Sequence, residues 1–258
     1  LSTLGQVAPQ IHIKARFYEV PKGTMQAQGA LHGFQKFVGL SNSTAQVFGI
    51  LNTTNMRTAM RALQARSGVE VLAKPEGTTT SGRQMQMRAT SIRLLDPNDG
   101  KGLAISGPPV IGTASGGLPP RTVETGPILE GGLDVGSDCE SINLTLIPSL
   151  TEFLGYDTPT NTTAAYNCAG GKIDAPKILP RFTTQQMVTS LNLWDNQTVI
   201  IAGIPETTYV GGNAVPEKPK TNDKELLIFI TATMVDPAGN RIYSDAEMPF
   251  AKDGVPPQ

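Results

Sequence analysis

Apolar and polar residues alternate along several stretches of this chain. In Gln10–Val20, Ile11, Ile13, Ala15 and Phe17 fall on one side, and His12, Lys14, Arg16 and Tyr18 on the other. That is the period of two expected of a half-buried strand. Arg83–Ala89 repeats it around Met85 and Met87, and Ile142, Leu144 and Leu146 alternate with Asn143, Thr145 and Ile147. Thr198–Ala202 is different: its continuous β-branched run predicts a strand covered on both faces. Val188–Leu193 precedes it across the turn Trp194-Asp195-Asn196-Gln197. One stretch has helical period, with Met56, Ala59, Met60 and Leu63 on a single face. Thr53, Thr54 and Asn55 are its N-cap candidates, and Ser67-Gly68 marks its close. The methionines on that face read as core filler.

The breakers divide the rest. Pro75 ends a strand Val69–Ala73, Thr78–Gly82 reads as a polar turn, and Val69–Ala89 is therefore expected to be a hairpin. Pro21-Lys22-Gly23 closes the first strand, and Thr24–Leu51 is expected to form a hairpin broken by Gly33, Gly39 and Gly49. Thr90–Leu95 continues as strand, and Asp96–Gly100 reads as a turn. Leu103–Pro120 is rich in Gly and Pro. Arg121–Val135 reads as a strand bent at Gly126-Pro127 and Gly131-Gly132. Asp157–Lys172 and Glu206–Asp223 are polar loops, Asp236–Asn240 is a turn, and the segment beyond is expected to lie extended over the surface. The fold class is mainly β with one short α-helix. Residues 1–8 read as a linker or tail, 9–235 as one β domain and 236–258 as a C-terminal tail.

Composition narrows the function classes. Charged residues make up 17% of 258, below the roughly 25% usual in soluble domains, and suit a chain that buries surface in an assembly. A net charge of −1 gives no electrostatic case for nucleic acid. No apolar run approaches the ~20 residues of a membrane-spanning helix. The chain begins at Leu1, which is expected of a mature form or a fragment.

Candidate chemistry is sparse. Cys139 and Cys168 are the two cysteines, read either as one disulfide, stabilising by ~3 kcal/mol, or as two unpaired thiols. Asp134, Asp138 and Glu140 read first as a solvated turn and second as a cation site. Asp96–Gly100 lacks the spacing and distal Glu of a calcium loop. His12 and His32 have no triad or metal context, no nucleophile elbow occurs, and Ile173 follows Lys172 where a phosphate loop needs Ser or Thr. No catalytic residue, metal or cofactor is expected.

The run ALQARSGVEVLAKPEGTTTSGRQ, residues 62–84, resembles the signature of the bacterial secretin family, the outer-membrane channels of type II and type III secretion systems and type IV pili. Further stretches resemble the family in order: the opening strand Gln10–Val20, GGLDVGSDCESINLTLIPSLTEFLGYD, PRFTTQQMVTSLNLWDNQTVIIAGI, and the closing strand Lys224–Val235. The resemblance covers most of the chain. It implies a secretin-type β domain whose strands join neighbours in a multi-subunit, double-walled β-barrel.

The implied partners are a homo-oligomeric ring, outer-membrane lipid, and periplasmic or inner-membrane components of a secretion system. The implied location is the bacterial outer membrane, facing the periplasm, and the cargo is protein, pilus or phage. Val69, Val71, Met85, Met87, Ile142, Leu144, Val199 and Ile201 are expected in the barrel wall. Leu103, Ile105, Val110, Ile111 and Leu118 are expected at a membrane-proximal tip, where the family places its spanning hairpin. Three departures matter. Thr24–Leu51 is too short for the family's gate, Gly136 stands near the place of a family Pro, and Glu206–Asp223 replaces the lip hallmark. They favour, as a second reading, a ring or shell component without a gated pore.

Overall fold

The computed structural model describes residues 9–21, 46–95, 102–104, 121–157, 165–166, 172–173, 179–204, 206–210, 213–215 and 224–248. In chain order the elements are β1 (Gln10–Pro21), β2 (Gln46–Leu51), α1 (Thr53–Gln64), β3 (Glu70–Ala73), β4 (Glu76–Thr80), β5 (Arg83–Arg88), β6 (Ser91–Leu95), β7 (Gly102–Ala104) and β8 (Arg121–Val135). They continue as β9 (Ser141–Asp157), β10 (Ala165–Tyr166), β11 (Lys172–Ile173), β12 (Leu179–Gln186), β13 (Thr189–Trp194), β14 (Thr198–Ala202), β15 (Glu206–Val210), β16 (Asn213–Val215) and β17 (Lys224–Val235). The expected mainly β class with one short helix holds among these residues.

Two antiparallel sheets and the helix make three layers. The six-stranded sheet runs β2-β14-β17-β1-β3, with β4 also on β1. Its spine is the ladder of β1 and β17, unbroken from Gln10↔Val235 to Pro21↔Lys224. The nine-stranded sheet runs β16-β15-β12-β9-β8-β6-β7, with β13 on β9 and β5 on β8. The alternation seen in the sequence decides the packing. Ile11, Ile13, Ala15 and Phe17 of β1, with Ile228 and Ile230 of β17, meet Leu129, Leu133, Ile142, Leu144 and Leu146 of the nine-stranded sheet in one buried core. The opposite face of the six-stranded sheet carries Tyr18, Ile200, Leu227 and Phe229, and α1 covers it with Ala59, Met60 and Leu63. Tyr18 and Phe229 meet edge to face at 5.9 Å. All five residues of β14 are buried, as its β-branched run predicts.

β8 changes partner at Gly126. Its first stretch pairs with β6 and its second with β5. Gly126 has φ +122°, and a Cβ there would stand 2.6 Å from the Ala89 carbonyl oxygen. The expected bend at Gly126-Pro127 is thus a change of strand partner.

Several local expectations are corrected. The helix N-cap is Asn52, whose Oδ1 accepts from Asn55 N–H at 2.9 Å, so Thr53–Asn55 are already helical. The α-helix ends at Gln64, and Gly68, at φ +83°, lies in the turn beyond it. Thr78–Thr80 are not a turn. They belong to β4, paired with Gln10–His12, because β-branched threonines suit a strand and β1 offers them a partner. Val69–Ala89 is consequently no hairpin: β3 and β4 pair with β1, whereas β5 pairs with β8 in the other sheet. Ser81-Gly82 is a corner between the sheets. The same holds at residues 194–197, where β13 pairs with β9 and β14 with β17 and β2.

Glu206–Val215 is a hairpin extension of the nine-stranded sheet, driven by the β-rich run Thr207-Thr208-Tyr209-Val210. Within the expected loop 157–172, β10 pairs with β11. The segment after β17 does not simply run over the surface, since Met248 is fully buried and Arg241 and Asp245 are bonded into the fold. The expected hairpin at 24–51 lies outside the described residues except for β2.

Candidate functional site

No group of three or more His, Cys, Asp or Glu side chains able to hold a metal occurs among the described residues. No helix there is long and apolar enough to cross a membrane. The acidic turn is accounted for by its own backbone. The Asp138 carboxylate accepts from Glu140 N–H (3.1 Å), Ser141 N–H (3.0 Å) and the Ser141 hydroxyl (2.8 Å). Partial burial pushes the Asp138 pKa up, but these bonds outweigh it and leave it below the usual range. Asp134 accepts from the Ser81 hydroxyl at 2.7 Å, which pins the first corner.

The features with functional shape are the flanks. The two corners bring like edges together. β3 and β4, at one edge of the six-stranded sheet, lead through Ser81-Gly82 into β5, an edge of the nine-stranded sheet. On the opposite flank, β13 leads through the turn at Asp195-Asn196 into β14, beside which β2 forms the edge. The core is only half closed on both flanks. Leu72, Ala73, Met85 and Met87 pack against it half-buried on the first, and Ile50 and Leu191 on the second. Val71 of β3 is 46% exposed, and Val188, just before β13, is 68% exposed.

The outer face of the nine-stranded sheet opposite the core is polar, with Arg88, Glu130 and Asp134 among its amides and hydroxyls. Gln84, Gln86, Asn143, Thr145, Ser190 and Asn192 point outward there, and the Gln86 amide donates to Glu130. Beyond Leu150 the sheet adds little to the core. It is held by its own aromatic cluster, with Phe153 5.1 Å from Tyr156 and 5.4 Å from Phe182, and by Arg93 stacked over the Phe153 ring at 5.0 Å.

Where this half leaves the sandwich, acids gather around Lys224, which bonds Glu19 at 2.7 Å and Glu70 at 3.4 Å. Burial, then the neighbouring Glu19 and Glu206, raise the Glu152 pKa there, while Lys224 opposes them.

At the corner end a polar clasp joins separate segments of the chain. Asp195, whose side chain is fully buried, accepts from Met234 N–H at 2.6 Å and from Arg241 Nε and Nη2 at 3.2 and 3.1 Å. Arg241 also pairs with Asp245 at 2.6 Å. Asn196, held at φ +63°, donates to Asp245 and to Thr53 at the start of α1, both at 2.9 Å. Burial raises the Asp195 pKa against the opposing pull of Met234 N–H and Arg241.

Of the residues expected in the wall, Ile142, Leu144, Val199 and Ile201 are fully buried between the sheets. Met85 and Met87 are half-buried at one flank of that core. Val69 packs half-buried toward the helix, and Val71 faces outward. Leu103 lies in β7; Ile105, Val110, Ile111 and Leu118 lie outside the described residues. Cys139 is exposed at φ +57°, and Cys168 lies outside the described residues. Sequence reading missed Leu191 and Ile50 on the second flank, and the whole clasp.

No family model matches this sequence, and no curated protein matches it. The chain is similar to solved secretin structures. Against the type II secretin GspD from enteropathogenic Escherichia coli, identity is 11% over 92% of this chain and 72% of that one, with a TM-score of 0.39. Against the V. cholerae type IV competence pilus secretin PilQ, identity is 13% over 90% of this chain and 62% of that one, with a TM-score of 0.39. Against the InvG secretin-domain β-barrel of the Salmonella SPI-1 injectisome, identity is 11% over 91% of this chain and 65% of that one, with a TM-score of 0.38.

Proposed function

We propose that this chain is a structural, non-enzymatic subunit of a homo-oligomeric secretin-type channel in the bacterial outer membrane, facing the periplasm and passing protein, pilus or phage. Its two sheets are the two walls, each subunit adding one segment to a double-walled barrel. The observation that carries this reading is the open core. An apolar layer between two sheets runs out half-buried on both flanks, beneath strand edges that pair with nothing among the described residues. Exposed strand edges over apolar surface are a liability in a monomer, and ring closure removes them. Outer-membrane lipid and other secretion-system components are the further partners of this reading. Native mass measurement of the detergent-extracted protein is expected to show a multi-subunit ring. A monomer at all concentrations would sink the proposal.

The membrane contact is placed at residues 103–118. β6, β7 and the start of β8 form one arm that leads into that stretch, with Leu103 in β7. Its few apolar residues give a shallow strip, repeated around the ring. A lipid-soluble photoreactive probe should label Leu103–Leu118; labelling elsewhere alone would refute this placement.

A second reading, a ring or shell without a gated pore, is favoured by the short passage from β1 to β2 and by the β15–β16 hairpin where the lip hallmark is missing. It predicts large, steady conductance in bilayers, and a tightly closed resting state would count against it.

A further inference from the structure

We propose that the outward face of the nine-stranded sheet carries a glycan-binding site, a shallow cavity beside Gly132 that takes a neutral sugar chain with acetamido groups. The site lies within one subunit and does not depend on the ring.

Its starting point is a glycine that the fold itself does not require. β8 contains Gly126, Gly131 and Gly132. Glycine in a strand interior weakens it, through backbone entropy and lost side-chain packing. The first two have steric reasons. A Cβ at Gly126 would stand 2.6 Å from the Ala89 carbonyl oxygen, and one at Gly131 would stand 2.5 Å from that of Thr145. Gly132 has no such reason. A Cβ there would meet nothing within 4 Å, and its φ lies outside the left-handed region. The ladders run through it without a bulge, with Gln84 on one side and Thr145 on the other. A strand glycine with no bulge, no positive φ and no close neighbour marks a place left open for something to approach.

The gap is part of a cavity of about 510 Å³, lined by Gln84, Gln86, Glu130, Thr145 and Ile147 beside Gly132. That volume falls within the roughly 300–1,000 Å³ of small-molecule sites. Alternation keeps these side chains on the outward face, because Met85, Leu133, Leu144 and Leu146 of the same strands pack on the core.

The lining selects the ligand. Gln84 and Gln86 offer amide N–H and C=O groups and Thr145 offers a hydroxyl, so the site both donates and accepts. Its one carboxylate, Glu130, already accepts from the Gln86 amide, and no cation lines it. Arg88 and Asp134, the neighbouring charges of this face, are engaged as well. Arg88 pairs with Glu124 at 3.0 Å, and Asp134 accepts from Ser81 at 2.7 Å. An anion therefore finds no free counter-charge, and a cation finds one carboxylate already bonded. Sugar hydroxyls and acetamido groups match the amides and the hydroxyl, and Ile147 offers an apolar floor to ring C–H groups or an acetyl methyl. The same face continues through Asn143, Ser190 and Asn192 and ends at Trp194, partly exposed and in neither core. That series gives a chain of sugars a polar path with an aromatic ring at its end.

The test is calorimetric titration of the full-length, detergent-extracted protein with a soluble oligomer of N-acetylglucosamine. The wild-type protein is expected to bind it, and a sulfated glycan is expected not to compete. Gly132→Val is the decisive variant. Valine suits a strand and its Cβ enters open space, so folding should be kept while the cavity is filled. Binding is expected to be lost. Gln84→Ala and Thr145→Val each remove one hydrogen-bonding group and should weaken binding roughly three- to tenfold. They decide the matter if Gly132→Val does not fold. Absence of binding to the wild-type protein overturns the inference. So does binding undiminished in a folded Gly132→Val protein, or unaffected by both Gln84→Ala and Thr145→Val. Equal or tighter binding of the sulfated glycan would show that charge is read in place of hydroxyls, and overturns it too. A wild-type protein that binds the oligomer as a monomer defeats the ring reading and leaves the site standing.

Discussion

The two sheets share one core but solve different problems. The six-stranded sheet is covered on both faces, by the other sheet and by α1, and β14 has no exposed residue. The nine-stranded sheet is covered on one face over half its length; its other face is polar, with Gln, Asn, Ser and Thr set among Arg88, Glu130 and Asp134. The first is built like the inside of a domain. The second is built like a surface with two places left to continue. The difference teaches that folding and assembly draw on separate residues here, and substitutions should separate them.

The largest effect is expected in the doubly covered sheet. Phe229→Ala removes a ring fully buried under α1 and should cost about 3–5 kcal/mol, measured by denaturant unfolding of the subunit. A cost under about 1 kcal/mol would break the comparison. Met87→Asp should act on the other sheet. Met87 is half-buried at an open flank, so the subunit should still fold while the ring, which would enclose an unpaired charge, should not form. Assembly at wild-type yield would show the flank to be a true surface. Asp195→Ala acts at the joint between the sheets. It strips Arg241 of a buried partner and leaves Met234 N–H unbonded, for about 2 kcal/mol, discounted because Arg241 is partly exposed. Asp195→Asn, which keeps an acceptor for Met234 N–H, should lose less.

The smallest effect concerns pH. Glu152 titrates above its ordinary range, chiefly through burial and then through Glu19 and Glu206. A raised folded pKa means that the protonated form is the one favoured by folding. Its contribution is complete below the ordinary Glu range and is lost as pH rises through the raised value. Glu152→Gln should therefore flatten the decline in stability on the alkaline side of that window, by roughly a few tenths of a kcal/mol. An unchanged pH profile would show that Glu152 is solvated after all.

Side-chain pattern told the faces but not the partners. β1, β9, β14 and the face of α1 were legible because burial follows period 2 or 3.6 directly, and Ile11, Leu144 and Leu63 lie where their spacing puts them. Thr78–Gly82 reads as a hairpin turn and Trp194–Gln197 as a turn between two strands because alternation is silent about which sheet the next strand joins. The same alternation serves β5 on β8 as would serve it on β4. The β15–β16 hairpin was hidden by its polar, Pro-rich surroundings. The clasp was invisible because Asp195 and Arg241 have no local spacing that links them, and an Asp-Asn turn ordinarily faces water. One signal for the flank was available: six consecutive residues of β13 without charge or Pro are unusual for a strand left at an edge.

The pairing of Gln10 with Val235 has a mechanical consequence. The spine strands begin and end side by side, so a pull between the chain before β1 and the chain after β17 loads their ladder as a zipper. Its bonds would break in succession instead of sharing the force. The clasp stands in front of that zipper. Tension arriving from Met248 reaches Asp245 and Arg241 first and is passed through Asp195 and Asn196 into the corner between the sheets. A few polar bonds, anchored on buried Asp195, thus act as strain relief for the spine of the six-stranded sheet.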